Sequence, residues 1–130
     1  MKENPPNREI DQLAKLINLP QRPQQVLWQS VEQGDDWTLI AVLRFSSPEV
    51  QALLSGEPKF EGEMPLISKS QVFDWFPSGL RSMLVPADVN TYEVKGNLHT
   101  PERFFRSPLV HGYMMRIQST DDIFLYLCTM

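Results

Sequence analysis

Two histidines, two nearby arginines and two pairs of adjacent aspartates are the residues of this chain whose types could do chemistry. His99 stands just before Thr100-Pro101-Glu102, and His111 stands beside Gly112 and Tyr113. Imidazole can exchange a proton near neutral pH without a large environmental shift, so either histidine is a candidate general base. A base of this kind needs an orienting acid and, for an anionic substrate, a clamp. Asp121 or Asp122 could orient it, and Arg103 or Arg106 could hold the anion. Such a set implies a small enzyme or small-ligand binder with a His/Arg pocket, provided the groups converge. The alternative is two polar histidines at element ends, hydrogen-bonded to backbone, and nothing in the spacing speaks against it.

Asp35-Asp36 and Asp121-Asp122 could each contribute to a Mg²⁺ or Ca²⁺ site. Neither has the ligand spacing of a calcium loop. Both fall in tight turns, where Asp accepts local backbone hydrogen bonds. One cysteine, Cys128, and two histidines do not make a structural zinc set. Cys128 stands in an apolar run and reads as a small buried hydrophobe. No Gly-x-Ser-x-Gly elbow, phosphate loop or dinucleotide fingerprint is present. The expectation is therefore no metal and no cofactor, and the balance leans away from an enzyme.

The segment Phe73-Asp74-Trp75-Phe76-Pro77 and the pair Phe104-Phe105 concentrate large rings. Most belong in a core. Trp75 and Phe76 are the candidates for an exposed anchor, because aromatic residues dominate binding hot spots.

The elements that must position these groups follow from periodicity. Ile10, Leu13, Ala14 and Ile17 mark one helical face, with Asn7 as N-cap and Asn18 with Pro20 as the stop. Val26 to Gln33 and Thr38 to Phe45 read as a hairpin around Gly34-Asp35-Asp36, the second strand buried on both faces. Ser47-Pro48-Glu49 opens a short helix, with Ser47 as cap and Gly56 as its left-handed end. Met64 to Ser68 and Tyr92 to Leu98 read as strands, while Val72, Trp75 and Phe76 also fit a helical face, and Val72 to Phe76 is taken as a strand on the strength of an internal repeat. Leu80, Met83 and Leu84 suggest a helical turn, and Thr100-Pro101-Glu102 repeats the helix-start chemistry. Leu109 to Gln118 and Ile123 to Thr129 form a C-terminal hairpin around Ser119-Thr120-Asp121-Asp122.

Two stretches share an order of signals. Each runs from an extended segment through Ser/Thr-Pro-Glu to Gly-x-Met-x-x-Ile, then to Phe with a second aromatic two residues on. Gly62, Met64, Ile67, Phe73 and Trp75 carry it first; Gly112, Met114, Ile117, Phe124 and Tyr126 carry it second. This reads as an internal duplication of a strand–helix–strand–strand unit.

The expected fold class is α+β: an antiparallel-rich sheet of about 5–7 strands with 3–4 short helices. It has an N-terminal helix and a C-terminal β-hairpin, in a single domain over residues 8–130 after a flexible tail at 1–7. At 130 residues the chain can bury roughly two thirds of its unfolded surface, enough for a core without staples. The net charge of −4 is scattered, and no basic cluster marks a nucleic-acid partner. The N-terminus is polar, with no signal-peptide core, and no apolar run approaches membrane length. Cytoplasmic localisation is the simplest expectation. The functional expectation is a non-enzymatic protein-binding module, such as an adaptor, inhibitor or immunity-type factor, with another protein as partner. A homo-oligomer built by edge-strand pairing is a further expectation.

Overall fold

The longest apolar runs become the centre of a sheet covered on both sides. In a computed structural model of the chain, residues 6–60 and 65–129 are described. The elements are α1 (Ile10–Leu16), β1 (Gln25–Gln33), β2 (Asp36–Arg44), α2 (Ser47–Ser55), β3 (Leu66–Ser68), α3 (Ser78–Arg81), β4 (Leu84–Pro86), β5 (Thr91–Val94), β6 (Leu98–His99), β7 (His111–Arg116) and β8 (Asp122–Cys128). Single 3₁₀ turns occupy Lys69–Gln71 and Glu102–Phe104. The fold is mixed α+β. One antiparallel sheet has the order β1-β2-β8-β7-β6, and a second has the order β3-β5-β4.

Side chains alternate across β2. Leu39, Ala41 and Leu43 meet Leu13, Ile17, Val50, Leu53 and Phe104 on the helix side. Ile40 and Val42 meet Phe73, Phe76, Leu80 and the small sheet's Ile67 and Val94 on the other. The molecule therefore has three layers, with the large sheet in the middle. That explains why β2 and β8 are apolar almost throughout rather than at alternate positions. Full burial of one such Leu, Ile or Phe contributes roughly 1.5–3 kcal/mol.

The β1–β2 hairpin pairs Gln33 with Asp36, leaving Gly34-Asp35 as a two-residue loop. Gly34 has φ +62° while Asp35 keeps a negative φ, which fits a type II′ turn. At α2 the cap lies one residue earlier than the Ser47 expected. Ser46 Oγ accepts from the Glu49 amide at 3.4 Å, and Glu49 Oε1 accepts from the Ser46 amide at 3.0 Å. Ser47 and Pro48 then fill the first helical turn, and the box is complete. Asn7 likewise does not cap α1, whose cap position is Glu9. Instead Asn7 bridges the outer edge of β1, exchanging backbone hydrogen bonds with Trp28 at 2.8 and 2.9 Å. The expected tail thus falls on residues 1–5, outside those described, together with Pro6 and a firmly held Asn7.

Several local expectations are corrected. Gly56 ends α2 in a right-handed conformation (φ −85°). Its lack of a side chain serves a close approach instead: a Cβ there would sit 2.8 Å from Arg103 Nη2. Leu84 belongs to β4, not to the turn that holds Leu80. The run Tyr92 to Leu98 is not one strand. It splits into β5 of the small sheet and β6 of the large one, with the chain bending between them at Gly96. Val72 to Phe76 is not a strand but a tight turn, closed by the Phe76 amide donating to Phe73 O at 3.0 Å. Three rings crowd this turn, and packing them against Phe124 outweighs extended pairing. The internal duplication required a strand there, and its Gly62 and Met64 lie outside the described residues.

Candidate functional site

The two histidines occupy opposite faces of the large sheet. His99 on β6 lies across from Met114, which packs on the helix side. His111 lies across from Cys128 on β8, in the alternation of Phe124 and Tyr126, which face the small sheet. They do not converge. His111 is exposed at the sheet's end. His99 is half-buried, its Nδ1 3.4 Å from the carbonyl of Glu57.

Neither candidate arginine is an open clamp. Arg103 Nε donates to Glu57 Oε1 at 2.7 Å, and Arg103 Nη2 donates to Leu53 O at 2.8 Å and Ala52 O at 3.4 Å. Those carbonyls belong to the last turn of α2, where Ala52 O also accepts from the Gly56 amide at 3.3 Å and Arg103 supplies a further donor to the helix end. Arg106 does the same for α1, Nη1 donating to Ala14 O at 2.9 Å. A cation at a helix C-terminus also meets the negative end of the helix dipole. Both side chains thus join helix ends to the segment before β7.

Asp121 and Asp122 are also engaged. Asp121 accepts from Arg116 Nη2 at 2.9 Å, and Asp122 accepts from Arg44 Nε at 2.9 Å. The hydrogen bond and charge of Asp122 hold the Arg44 guanidinium more firmly protonated still. Asp35 occupies the β1–β2 loop and Asp36 opens β2. Among the described residues, no three His, Cys, Asp or Glu side chains gather where they could hold a metal ion. Nor, among them, is any helix long and apolar enough to cross a membrane.

Phe76 is a core residue, not an exposed anchor. Trp75 is different. It is half-buried, keeping part of its ring in solvent, and it is held on several sides. Its ring stacks on Phe73 at 5.4 Å, meets Phe76 edge-on at 5.1 Å, and its Nε1 donates to Gln29 Oε1 at 3.1 Å. Arg81 steadies the turn beneath, donating to Phe73 O at 2.7 Å and Phe76 O at 3.3 Å. Trp75 lines a groove of about 210 Å³ with Leu27, Val42 and Pro77, and the Arg44–Asp122 pair forms part of its wall. No family model, curated protein or solved structure matches the chain.

A second concavity escaped the sequence. Beside His99, the α2 end, the β5–β6 bend and the end of β7 surround a cleft of about 550 Å³. Arg116 and Lys95 line it, whereas Arg103 and Arg106 do not. Arg116 lies two positions beyond Met114 on β7 and so shares the helix-side face with His99. The alternation of β7 could have placed Arg116 on that face. Its meeting with Lys95 depends on a chain bend between two sheets, which has no linear signal.

Proposed function

We propose that this chain is a non-enzymatic protein-binding module, an adaptor, inhibitor or immunity-type factor, whose partner docks at the Trp75 groove. The observation that supports this most is the combination at Trp75 of partial exposure with rigidity. A free aromatic side chain loses rotamer freedom on binding, whereas one already stacked and hydrogen-bonded loses little. The groove's volume lies below the roughly 300–1,000 Å³ of small-molecule pockets and suits a single apolar side chain of a partner. Leu27, Val42 and Pro77 supply apolar walls, and the Arg44–Asp122 pair offers polar groups for orientation. The chain's net charge of −4 favours a net-basic partner through long-range attraction.

The test is a pull-down from native lysate with the wild-type chain and with Trp75→Ala and Leu27→Ser, each first shown to be folded by its denaturation midpoint. A basic protein recovered near stoichiometry by the wild type, and bound about 30-fold more weakly by either variant, is expected for a hot spot of about 2 kcal/mol. Recovery of no stoichiometric partner, or undiminished capture by both folded variants, sinks the proposal.

A further inference from the structure

We propose that the cleft beside His99 binds a small phosphate-type anion, independently of the Trp75 groove. Its polar lining consists of Lys95, Asn97, His99, Arg116 and Gln118, and no carboxylate is among the described residues that line it. In a chain whose net charge is −4, a concavity that collects two permanent cations and an imidazole without an acid departs from the rest of the surface. Such a concavity concentrates positive potential and attracts anions.

The cations do have partners outside the cleft. Lys95 Nζ lies 2.8 Å from Glu93 Oε2, and Arg116 Nη2 lies 2.9 Å from Asp121 Oδ1. The Arg116–Asp121 pair is open to solvent on both sides and so is weak, Glu93 is the more buried member of its pair with an exposed Lys95, and both cations keep donors to spare. The Lys95 ammonium retains hydrogens beyond the one aimed at Glu93. Arg116 spends Nε on Thr120 O at 2.6 Å and one Nη2 hydrogen on Asp121, which leaves Nη1 and the second Nη2 hydrogen. These bonds also hold the guanidinium in place before any ligand arrives.

The geometry of the remaining donors selects the ligand. A carboxylate gains most from the two parallel bonds of an arginine fork. At Arg116 the side-on fork of Nε and Nη2 is already occupied, which leaves its end-on edge. What remains is a set of donors on separate side chains: the end-on edge of Arg116, the Lys95 ammonium and the Asn97 amide. A tetrahedral anion, with oxygens pointing in several directions, fits such a set better than a planar one. Leu54 and Met83 give the cleft an apolar wall. A second cleft of about 500 Å³ shares Gly96, Asn97 and His99 with it and adds Lys59 and the ring of Phe60. The combined space admits an organic group attached to the phosphate, and both volumes fall in the small-molecule range.

The test titrates inorganic phosphate and pyrophosphate into the full chain, with sodium chloride at matched ionic strength as reference. Amide shifts of Gly96 and Asn97 and the ring C–H shifts of His99 are followed by NMR. The expected result is saturation with a Kd of roughly 1 mM or tighter, weakened about 10-fold in Lys95→Gln or Arg116→Gln, the loss of about 1.4 kcal/mol. Lys95→Gln is the safer variant, because Lys95 is exposed and its ammonium is paired, among the described residues, with Glu93 alone. Shifts that never saturate, that chloride reproduces, or that persist with unchanged affinity in both variants overturn the proposal.

Discussion

Arg103 and Glu57 show how one contact can be unequal for its two members. The Glu57 side chain is 2% exposed, whereas that of Arg103 is 43% exposed. Removing Glu57's charge leaves an arginine that water can reach and that still caps α2. Removing the Arg103 side chain leaves a carboxylate in the interior whose one remaining hydrogen bond among the described residues is to the backbone amide of position 103 at 3.3 Å, and takes a donor from the carbonyls of Leu53 and Ala52, the latter still held by the Gly56 amide. Losing one partner of a pair is most damaging when the survivor is buried. Arg103→Ala is therefore expected to destabilise the fold by about 3 kcal/mol, and Glu57→Gln by only about 1 kcal/mol. The double variant should be more stable than Arg103→Ala alone. Urea midpoints for the three proteins decide it, and a Glu57→Gln loss exceeding that of Arg103→Ala would refute the account. The same residue corrects the anion-clamp expectation, since a guanidinium engaged at three acceptors has little left for a ligand.

Among the elements, α2 depends most on its ends. It has nine residues, too few to be stable alone in water. Its first turn is held by the Ser46–Glu49 box, reinforced by Ser46 Oγ donating to Glu49 Oε1 at 2.9 Å. Its last turn is held by Arg103. Between them only Val50 and Leu53 are fully buried. Ser46→Ala is expected to lower stability by about 1 kcal/mol, the usual effect of losing an N-cap. Ser47→Ala, at the position the sequence first suggested, should change it by less than about 0.5 kcal/mol. Thermal or urea unfolding of the two variants discriminates directly: equal losses would mean that the box is not the cap. The Val72–Phe76 turn shows the opposite balance. Its residue types suit a strand, but ring packing and the Arg81 clamp set its shape.

For the whole molecule, the face beneath the small sheet carries a pH liability. Tyr113 and Tyr126 stack at 4.9 Å between the two sheets. Burial pushes the Tyr113 phenol well above its ordinary value near 10, with smaller contributions from Tyr126 and Cys128. Burial also raises Tyr126, opposed in part by its hydrogen bond to Gln71. In the unfolded chain both ionise near 10, so above that pH the folded state binds more protons than the unfolded state. Stability must then fall as pH rises. The expected curve loses no stability to these groups below about pH 9 and falls above pH 10 by up to about 1.4 kcal/mol per pH unit for each tyrosine. Among the described residues, Tyr113→Phe gives up one 3.4 Å hydrogen bond, to Leu66 O, and should flatten that fall. Urea unfolding of both proteins at pH 8, 10 and 11 measures it. Parallel curves would show that Tyr113 does not drive the alkaline loss.

Periodicity and local chemistry by themselves determined the α+β class, the first helix, both long hairpins and the double-sided burial of β2. Each depends on neighbours within a few residues: alternation, a Gly34-Asp35 loop, a proline in a first turn. The existence of a capped α2 was legible for the same reason, although its cap was off by one residue. Only the tertiary structure decided that there are two sheets rather than one. Val94 and Leu98 stand four residues apart in one extended run, yet belong to different layers. The bend at Gly96 answers to Met83 and Met115, whose Cε and Sδ would lie 2.8 and 2.9 Å from a Cβ there. Tertiary structure likewise decided which charged groups meet. Arg103 looked like a neighbour of His99 but turned to a helix end, while Arg116 and Lys95 came to the His99 cleft from two other elements. A side chain's partner is set by the packing of distant segments, and a linear pattern of residue types does not encode that packing.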